Sequence, residues 1–214
     1  MFFNVLGDIA TYLAVAVSIL YLICFTHEGK AYRAFTAYLL LVGLIQFASY
    51  FIGRGGCHEE NLHFSHYYFI IQFVTLSMFY KYILGGKWIT WVMLLVLGIL
   101  SYQFIDDPGL YWKFNPWGIV ITIIPIVIYS TIYMLRAINQ KMEFTVINAS
   151  LLAYLLTTLL IFASGNVVMD LEISIETKRI INHVNKVLYM LFLIMVIYEW
   201  IKNYNCLKTK AQSI

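Results

Sequence analysis

The chain has 214 residues, of which 62% are hydrophobic and only 12% are charged, whereas an ordinary soluble domain is about 45–50% apolar and about 25% charged. A water-soluble protein of this composition would expose large apolar patches, and a disordered chain is neither this aromatic nor this poor in charge. The net charge of +3 indicates no nucleic-acid partner. We therefore expect an all-α, polytopic membrane protein whose main partner is the lipid bilayer.

Seven segments are long and apolar enough to cross a membrane, which requires roughly 20 residues for about 30 Å of hydrocarbon. We predict one seven-helix transmembrane domain over residues 1–214, with spans at about 4–26, 31–53, 64–84, 87–105, 116–136, 145–165 and 179–201. Between spans 3 and 4, Gly85-Gly86-Lys87 predicts a tight turn. Asn115 before Pro116 is typical of a helix start, so we expect it to cap span 5.

The distribution of positive charge predicts the orientation of the helices. One side carries the nine residues Lys30, Arg33, Lys81, Lys87, Arg136, Lys141, Lys202, Lys208 and Lys210, and the other side carries the four residues Arg54, Lys113, Lys178 and Arg179. Because basic residues concentrate in cytoplasmic loops, we expect the N-terminus outside and the C-terminus in the cytoplasm. This topology suits a multi-pass protein of a bacterial inner (cytoplasmic) membrane.

Cysteines and aromatic residues carry less information. Cys24 and Cys206 fall in the cytoplasmic half and Cys57 in an outer loop, so we expect no intrachain disulfide. Cys57 leaves a cross-linked homo-oligomer open as an alternative. We expect interfacial belts at Tyr80, Tyr82, Trp88 and Trp91 inside, and at Tyr102, Tyr111, Trp112 and Trp117 outside. Glu199 and Lys202 are spaced as an i, i+3 ion pair at the inner interface.

Polar residues concentrate in the predicted outer halves of the spans, and intramembrane polar groups mark function by default. We predict an outward-facing ligand pocket between helices 1, 3 and 7, lined by Asp8, His66, Gln72, Asn182, His183, Asn185 and Lys186. In a closed ring, helix 1 neighbours helix 7, which favours an ion pair between Asp8 and Lys186. The alternative is that Lys186 extends its ammonium to the interface.

A lysine in the seventh helix of an N-out bundle resembles the microbial rhodopsins, and that resemblance implies retinal bound to Lys186 as a Schiff base. The spacing of Asn182 and Lys186 is similar to the carboxylate-x-x-x-Lys pattern of that family, with Asn in place of the acid. The resemblance is topological, because Tyr68 to Thr75 contains no Arg, carboxylate or Trp, and Val146 to Ser164 contains no Trp or Pro.

His63 and His66 lie at i, i+3 on one side of helix 3, and we place His183 at the same outer level. Three imidazoles with an open fourth position would suit a catalytic zinc ion. A zinc-dependent outer-leaflet enzyme is therefore an alternative. The chain offers no nucleophile–base arrangement and no phosphate-binding loop, which favours a protein without enzymatic activity.

The whole chain resembles small, uncharacterised seven-helix inner-membrane proteins of bacteria. The resemblance rests on Ser164-Gly165-Asn166, on Asn185-x-x-Leu188-Tyr189 and on Glu199-Trp200, and it implies no activity. From the pocket we expect a receptor or sensor that signals through a partner protein, because the short loops carry no output domain. A small-solute or ion transporter or channel is the main alternative, followed by a retinal protein and an outer-leaflet metalloenzyme.

Overall fold

The computed structural model describes residues 2–26, 28–54, 62–163 and 175–204 of the chain. Within these ranges all regular structure is helical, which confirms the all-α prediction. The α-helices are α1 (Phe2–Leu22), α2 (Lys30–Arg54), α3 (Leu62–Leu84), α4 (Trp88–Asp106), α5 (Pro116–Asn139), α6 (Thr145–Ala163) and α7 (Ile175–Asn203), and a 3-10 helix covers Pro108–Trp112. Each α-helix overlaps one predicted span. The largest differences are that α1 ends earlier and α7 begins earlier than expected.

Of the seven α-helices in the described residues, six form a closed ring, and the seventh lies outside it. Around the ring, α1 packs on α2, α2 on α3, α3 on α5, α5 on α6, α6 on α7, and α7 on α1. The expected contact between the first and last helices is therefore present. The outer helix, α4, packs against α3 and α5 and buries the narrow stripe Ile89, Val96 and Leu100. This single stripe explains why α4 contributes to one side of the bundle only.

Consecutive helices run in opposite directions: Ser18 near the end of α1 bonds to Leu39 in the first half of α2, and Thr158 near the end of α6 bonds to Asn185 in the first half of α7. We call the end at which α1, α3, α5 and α7 begin the upper end, and the opposite end the lower end. At the lower end Gly85 has a φ of 73°, and its N–H donates to the carbonyl oxygen of Lys81 at 3.1 Å, which terminates α3. At the upper end the Asn115 side chain accepts a hydrogen bond from the Gly118 N–H at 2.8 Å. The predicted turn and cap are thus both formed.

Aromatic side chains fill the lower half of the ring and also join its helices by hydrogen bonds. Tyr21 of α1 stacks on Tyr32 of α2, with ring centroids 5.1 Å apart. The Tyr21 hydroxyl donates to the carbonyl oxygen of Val196 in α7 at 3.1 Å. The Tyr32 hydroxyl donates to the carbonyl oxygen of Tyr21 at 2.9 Å. These tyrosines therefore close the ring where α1, α2 and α7 meet.

A buried polar network joins α3, α5 and α6. The Asn148 side-chain oxygen accepts hydrogen bonds from the Tyr80 hydroxyl at 2.6 Å and the Ser130 hydroxyl at 2.9 Å. The Asn148 amide nitrogen donates to the carbonyl oxygen of Ser130 at 3.1 Å. Tyr80 is fully buried in this network. Its expected position in an interfacial belt is therefore wrong, because its hydroxyl bonds to a neighbouring helix instead of to headgroups.

The expected ion pair between Glu199 and Lys202 is also absent from the described residues. Glu199 is only 2% exposed, and its carboxylate accepts a hydrogen bond from the Asn203 amide at 2.8 Å. Lys202 is exposed, and its ammonium lies 5.8 Å from the centre of the Tyr198 ring. Glu199 points into the ring because it lies on the same face of α7 as the buried residue Val196.

Cys24 is disulfide-bonded, which overturns the expectation of no intrachain disulfide. Its partner cysteine lies outside the described residues. Closure of the ring brings the turn after α1 against the end of α7, since the Cys24 sulfur lies 2.9 Å from the carbonyl oxygen of Tyr204. The sequence alone did not reveal this approach.

The outer surface of the bundle is apolar. Four segments of the described chain are long and apolar enough to cross a membrane, namely Lys30–Ile52, Trp88–Asp106, Pro116–Asn139 and His183–Asn203. Gly7–Leu22 and Thr145–Ile161 are shorter apolar helices. Large side chains face outward, such as Trp91 and Ile105 of α4, which are 73% and 77% exposed. An exposed apolar surface of this kind suggests a lipid bilayer as the environment.

Candidate functional site: a polar cavity inside the ring

A cavity of about 540 Å³ lies in the upper half of the ring, a size typical of small-molecule sites. Residues of five helices line it, and those of each helix share one face. The polar part of the lining comes from Thr11 of α1, Gln46, Ser49 and Tyr50 of α2, Ser65 and Tyr68 of α3, Tyr154 and Thr158 of α6, and Asn185, Lys186 and Tyr189 of α7. The described lining residues include one cation and no carboxylate.

Lys186 enters the cavity from α7, eleven residues after Ile175, or about 16 Å along the helix axis. Its ammonium lies beside Gly7 of α1, where a Cβ atom would be 3.2 Å from the nitrogen. The missing side chain at Gly7 therefore leaves room for the ammonium. The ion pair between described residues joins Lys113 to Asp107 at 3.3 Å and does not involve Lys186. Lys186 thus lines the cavity without a bonded partner in the described part of the chain.

The hypothesis of an Asp8–Lys186 ion pair is not supported by these side-chain positions. Asp8 follows Gly7 on α1 and is half-buried, but it does not line the cavity. Consecutive residues of an α-helix point about 100° apart. Gly7 is the residue of α1 that faces the ammonium, and no ion pair within 4.0 Å among the described residues joins Asp8 to Lys186.

A hydrogen bond between α6 and α7 orients an amide at the edge of the cavity. The Thr158 hydroxyl lies 3.2 Å from the side-chain oxygen of Asn185 and 2.8 Å from the carbonyl oxygen of Tyr154. Since the hydroxyl contacts the oxygen of the Asn185 amide, the nitrogen of that amide remains to donate. Asn185 and Lys186 therefore present hydrogen-bond donors side by side.

Tyrosine side chains from four helices form the floor of the cavity. The hydroxyls of Tyr68 and Tyr154 are 3.5 Å apart, and Tyr189 packs against Tyr154 with ring centroids 5.5 Å apart. Below them Tyr154 stacks on Phe192, and Phe192 also contacts the ring of Tyr38. Tyr38 and Phe192 are each 1% exposed. Packed aromatic rings thus lie between the cavity and the lower end.

Two predicted pocket residues of α3, His66 and Gln72, do not line the cavity. His66 is 2% exposed, and its Nε2–H donates to the carbonyl oxygen of Lys113 at 3.1 Å, on the α4 side of the helix. Its ring also stacks on Tyr111, with centroids 6.2 Å apart. Gln72 is buried one turn below Tyr68, and it does not line the cavity either. The structure therefore separates these two residues from Lys186.

The predicted residues of α7 have different positions relative to the cavity. Asn185 and Lys186 line it, and His183 does not. Asn182 belongs to α7, but its side chain lies outside the described residues. Of the seven predicted pocket residues, the structure thus brings these two together in the cavity.

The predicted zinc ligands do not converge within the described part of the chain. No group of three or more metal-binding side chains occurs there. His63 and His66 both pack on the ring of Tyr111. The ring centroids of His63 and Tyr111 are 5.9 Å apart. Both histidines contact the 3-10 helix, and His183 does not join them in a group of metal-binding side chains.

The hydroxyl groups of α6 were missing from the predicted pocket. Tyr154 and Thr158 are spaced i, i+4 and share a face with the buried residues Leu151 and Leu155. That spacing was a usable signal, since a polar pair on the buried face of an apolar helix requires partners inside the bundle. For the same reason Gln46 and Ser49 of α2 belong to the lining.

No family model matches the chain, and neither a curated protein nor a solved structure matches it. The fold and its apolar surface define the class as an all-helical protein suited to a lipid bilayer. The function must therefore be argued from the cavity.

Proposed function

We propose that the chain spans the inner membrane of a cell seven times, with its upper end outside. The support is the charge at the lower end, where Lys81, Lys87, Lys141 and Lys202 are exposed. Basic residues are enriched on the cytoplasmic side of membrane proteins. The N-terminus is then outside and the C-terminus is in the cytoplasm.

Within that topology the protein is a receptor or sensor for a small external ligand. The observation that carries this proposal is the cavity of about 540 Å³, which is lined by polar groups in the upper half of the ring. Below it, the rings of Tyr38 and Phe192 are buried and pack against each other. A site with polar groups in a largely apolar lining and packed aromatic rings beneath it suits binding from one side of the membrane and does not suit passage through it.

Signal output would come through a partner protein. The lower-end connections consist of residues 23–29, 85–87 and 140–144, which are too short to form an output domain. A ligand that contacts α1, α6 and α7 together would shift their packing, and a bound partner would detect that shift at the lower end.

Filling the cavity tests this proposal. We expect at least one class of small polar solutes to raise the unfolding temperature of the purified protein in nanodiscs, because a ligand that binds only the folded state stabilises it. Ser49→Trp, which places a large ring in the lining, should abolish the shift. The matched control is Ser101→Trp, since Ser101 is exposed on α4. If the same solutes stabilise both variants equally, they bind elsewhere and the receptor proposal fails.

A transporter is the second candidate, and one observation favours it. Glu199 is buried in the lower half of α7, and ionisable residues inside membranes mark ion pathways as well as binding sites. A transporter requires the floor at Tyr38 and Phe192 to open. Solute or proton flux into liposomes that is lost in both Ser49→Trp and Glu199→Gln would replace the receptor proposal with transport.

A further inference from the structure

We propose that the ligand of the cavity is an anion whose carboxylate or phosphate group binds Lys186. This inference rests on the proposed function, since it names the chemical class of ligand for the same cavity. Lys186 is the cation among the described lining residues, and no carboxylate lies among them. Lys186 would repel a cationic ligand there, whereas an anion supplies the negative partner that the described lining residues do not provide.

Pairing with an acid of the described chain does not explain the position of Lys186. A lysine inside a helical bundle is costly, and such residues usually pair with an acid. In the described chain Asp8 is the nearest acid along α1 and does not pair with Lys186, while Gly7 leaves space around the ammonium. Among the described residues the ammonium of Lys186 thus has no acidic partner in the cavity, and an anionic ligand would supply one.

The groups beside Lys186 supply further donors for the same anion. The Thr158 hydroxyl contacts the oxygen of the Asn185 amide at 3.2 Å, so the amide nitrogen is the end that can donate to a ligand. The hydroxyls of Tyr68 and Tyr154 lie 3.5 Å apart on the floor, and a hydroxyl not used by its neighbour can donate to an acceptor. A carboxylate or phosphate accepts several hydrogen bonds at once, as this set of donors requires.

Charge-matched probes test the proposal with the full chain in phosphatidylcholine nanodiscs. The probes are phenylacetate, phenyl phosphate and the neutral phenylacetamide, and the measurement is the shift of the unfolding temperature against probe concentration. We expect the anions to bind about tenfold more tightly than the amide, because hydrogen bonds between charged partners are about twice as strong as neutral ones. In Lys186→Met this preference should fall to less than about twofold.

Two further variants keep the test independent of folding defects. Gly7→Val crowds the ammonium without removing its charge, since even a Cβ at this position lies 3.2 Å from the nitrogen. We expect it to weaken anion binding, while Lys186→Arg retains the preference for anions. The control Lys202→Met removes an exposed lysine at the lower end and should leave the preference unchanged.

A second set of nanodiscs identifies the source of the anion. If phosphatidylglycerol stabilises the wild type but not Lys186→Met, a lipid headgroup is the ligand; if only the soluble anions do so, the ligand is a solute. Equal binding of phenylacetamide and phenylacetate to the wild type would overturn the anion assignment and leave the receptor proposal standing. If neither the anionic probes nor the neutral probe stabilises the protein in any lipid, the anion assignment is refuted. The solute screen with Ser49→Trp then decides the receptor proposal separately.

Discussion

Replacing Asn148 with alanine removes the centre of the buried network that joins α3, α5 and α6. The Asn148 side chain is fully buried and makes hydrogen bonds at 2.6 Å to the Tyr80 hydroxyl, 2.9 Å to the Ser130 hydroxyl and 3.1 Å to the Ser130 carbonyl oxygen. Alanine deletes all three bonds and leaves three buried polar groups without these partners. The variant therefore measures how much side-chain hydrogen bonding holds the ring together.

The magnitude follows from the number of bonds. Hydrogen bonds between transmembrane helices contribute about 0.6 kcal/mol each on average, so three lost bonds cost about 2 kcal/mol. Tyr80→Phe deletes only the 2.6 Å bond and keeps the aromatic ring in place. Its expected cost is about 0.6 kcal/mol, or about one third of the cost of Asn148→Ala.

Unfolding in mixed micelles with increasing SDS measures these free energies. Thr157→Val is the control, because the Thr157 hydroxyl bonds only to the Ala153 carbonyl oxygen of its own helix, at 3.0 Å; we expect a change below about 0.5 kcal/mol. If Asn148→Ala costs no more than Tyr80→Phe, the three bonds do not contribute separately and the network argument is refuted.

Three further predictions concern packing, topology and the cofactor. Gly118→Ala should destabilise the protein by about 1–3 kcal/mol, because a Cβ there would lie 2.9 Å from the Phe69 ring; SDS unfolding measures it. In a cysteine-free background, a cysteine in place of Trp112 should react with an impermeant thiol reagent from outside, and one in place of Gln140 should react only after the membrane is opened. If Lys186 holds retinal as a Schiff base, added retinal should give a visible absorption band that hydroxylamine bleaches and Lys186→Ala abolishes; the anion proposal predicts no such band.

Each of these predictions has an outcome that contradicts it. For packing, Gly98→Ala is the matched control, since nothing lies within 4 Å of its Cβ position; the packing argument fails if Gly118→Ala is equally tolerated. For topology, reaction of both cysteines from the same side would reject the proposed number of spans between them. A retinal-dependent band at Lys186 would make the lysine a Schiff-base site and would replace the anion proposal.

The helices could be predicted closely because their signals are local. Each needs a long apolar stretch and a break, and Gly85-Gly86-Lys87 and Asn115-Pro116 provide breaks that the structure uses. The lining of the cavity was predicted only in part, because a local signal does not show which residues of different helices face each other. Asn185 and Lys186 are conspicuous in an apolar helix, whereas Tyr154 and Thr158 are polar residues of a common kind whose role depends on what faces them.

Composition and local pattern alone therefore determined the all-helical class and the approximate ends of the helices, and they singled out Lys186, which lines the cavity. Only the tertiary structure decided which neighbours meet. It placed α4 outside the ring, turned His66 towards the 3-10 helix, buried Glu199 and set Gly7 rather than Asp8 against Lys186. The physical reason is that the rotation of each helix about its axis depends on packing with its neighbours, and adjacent residues of a helix point about 100° apart. A rotation of about 100° would therefore exchange the glycine for the carboxylate beside the lysine, and the apolar sequence of the helices does not encode that choice locally.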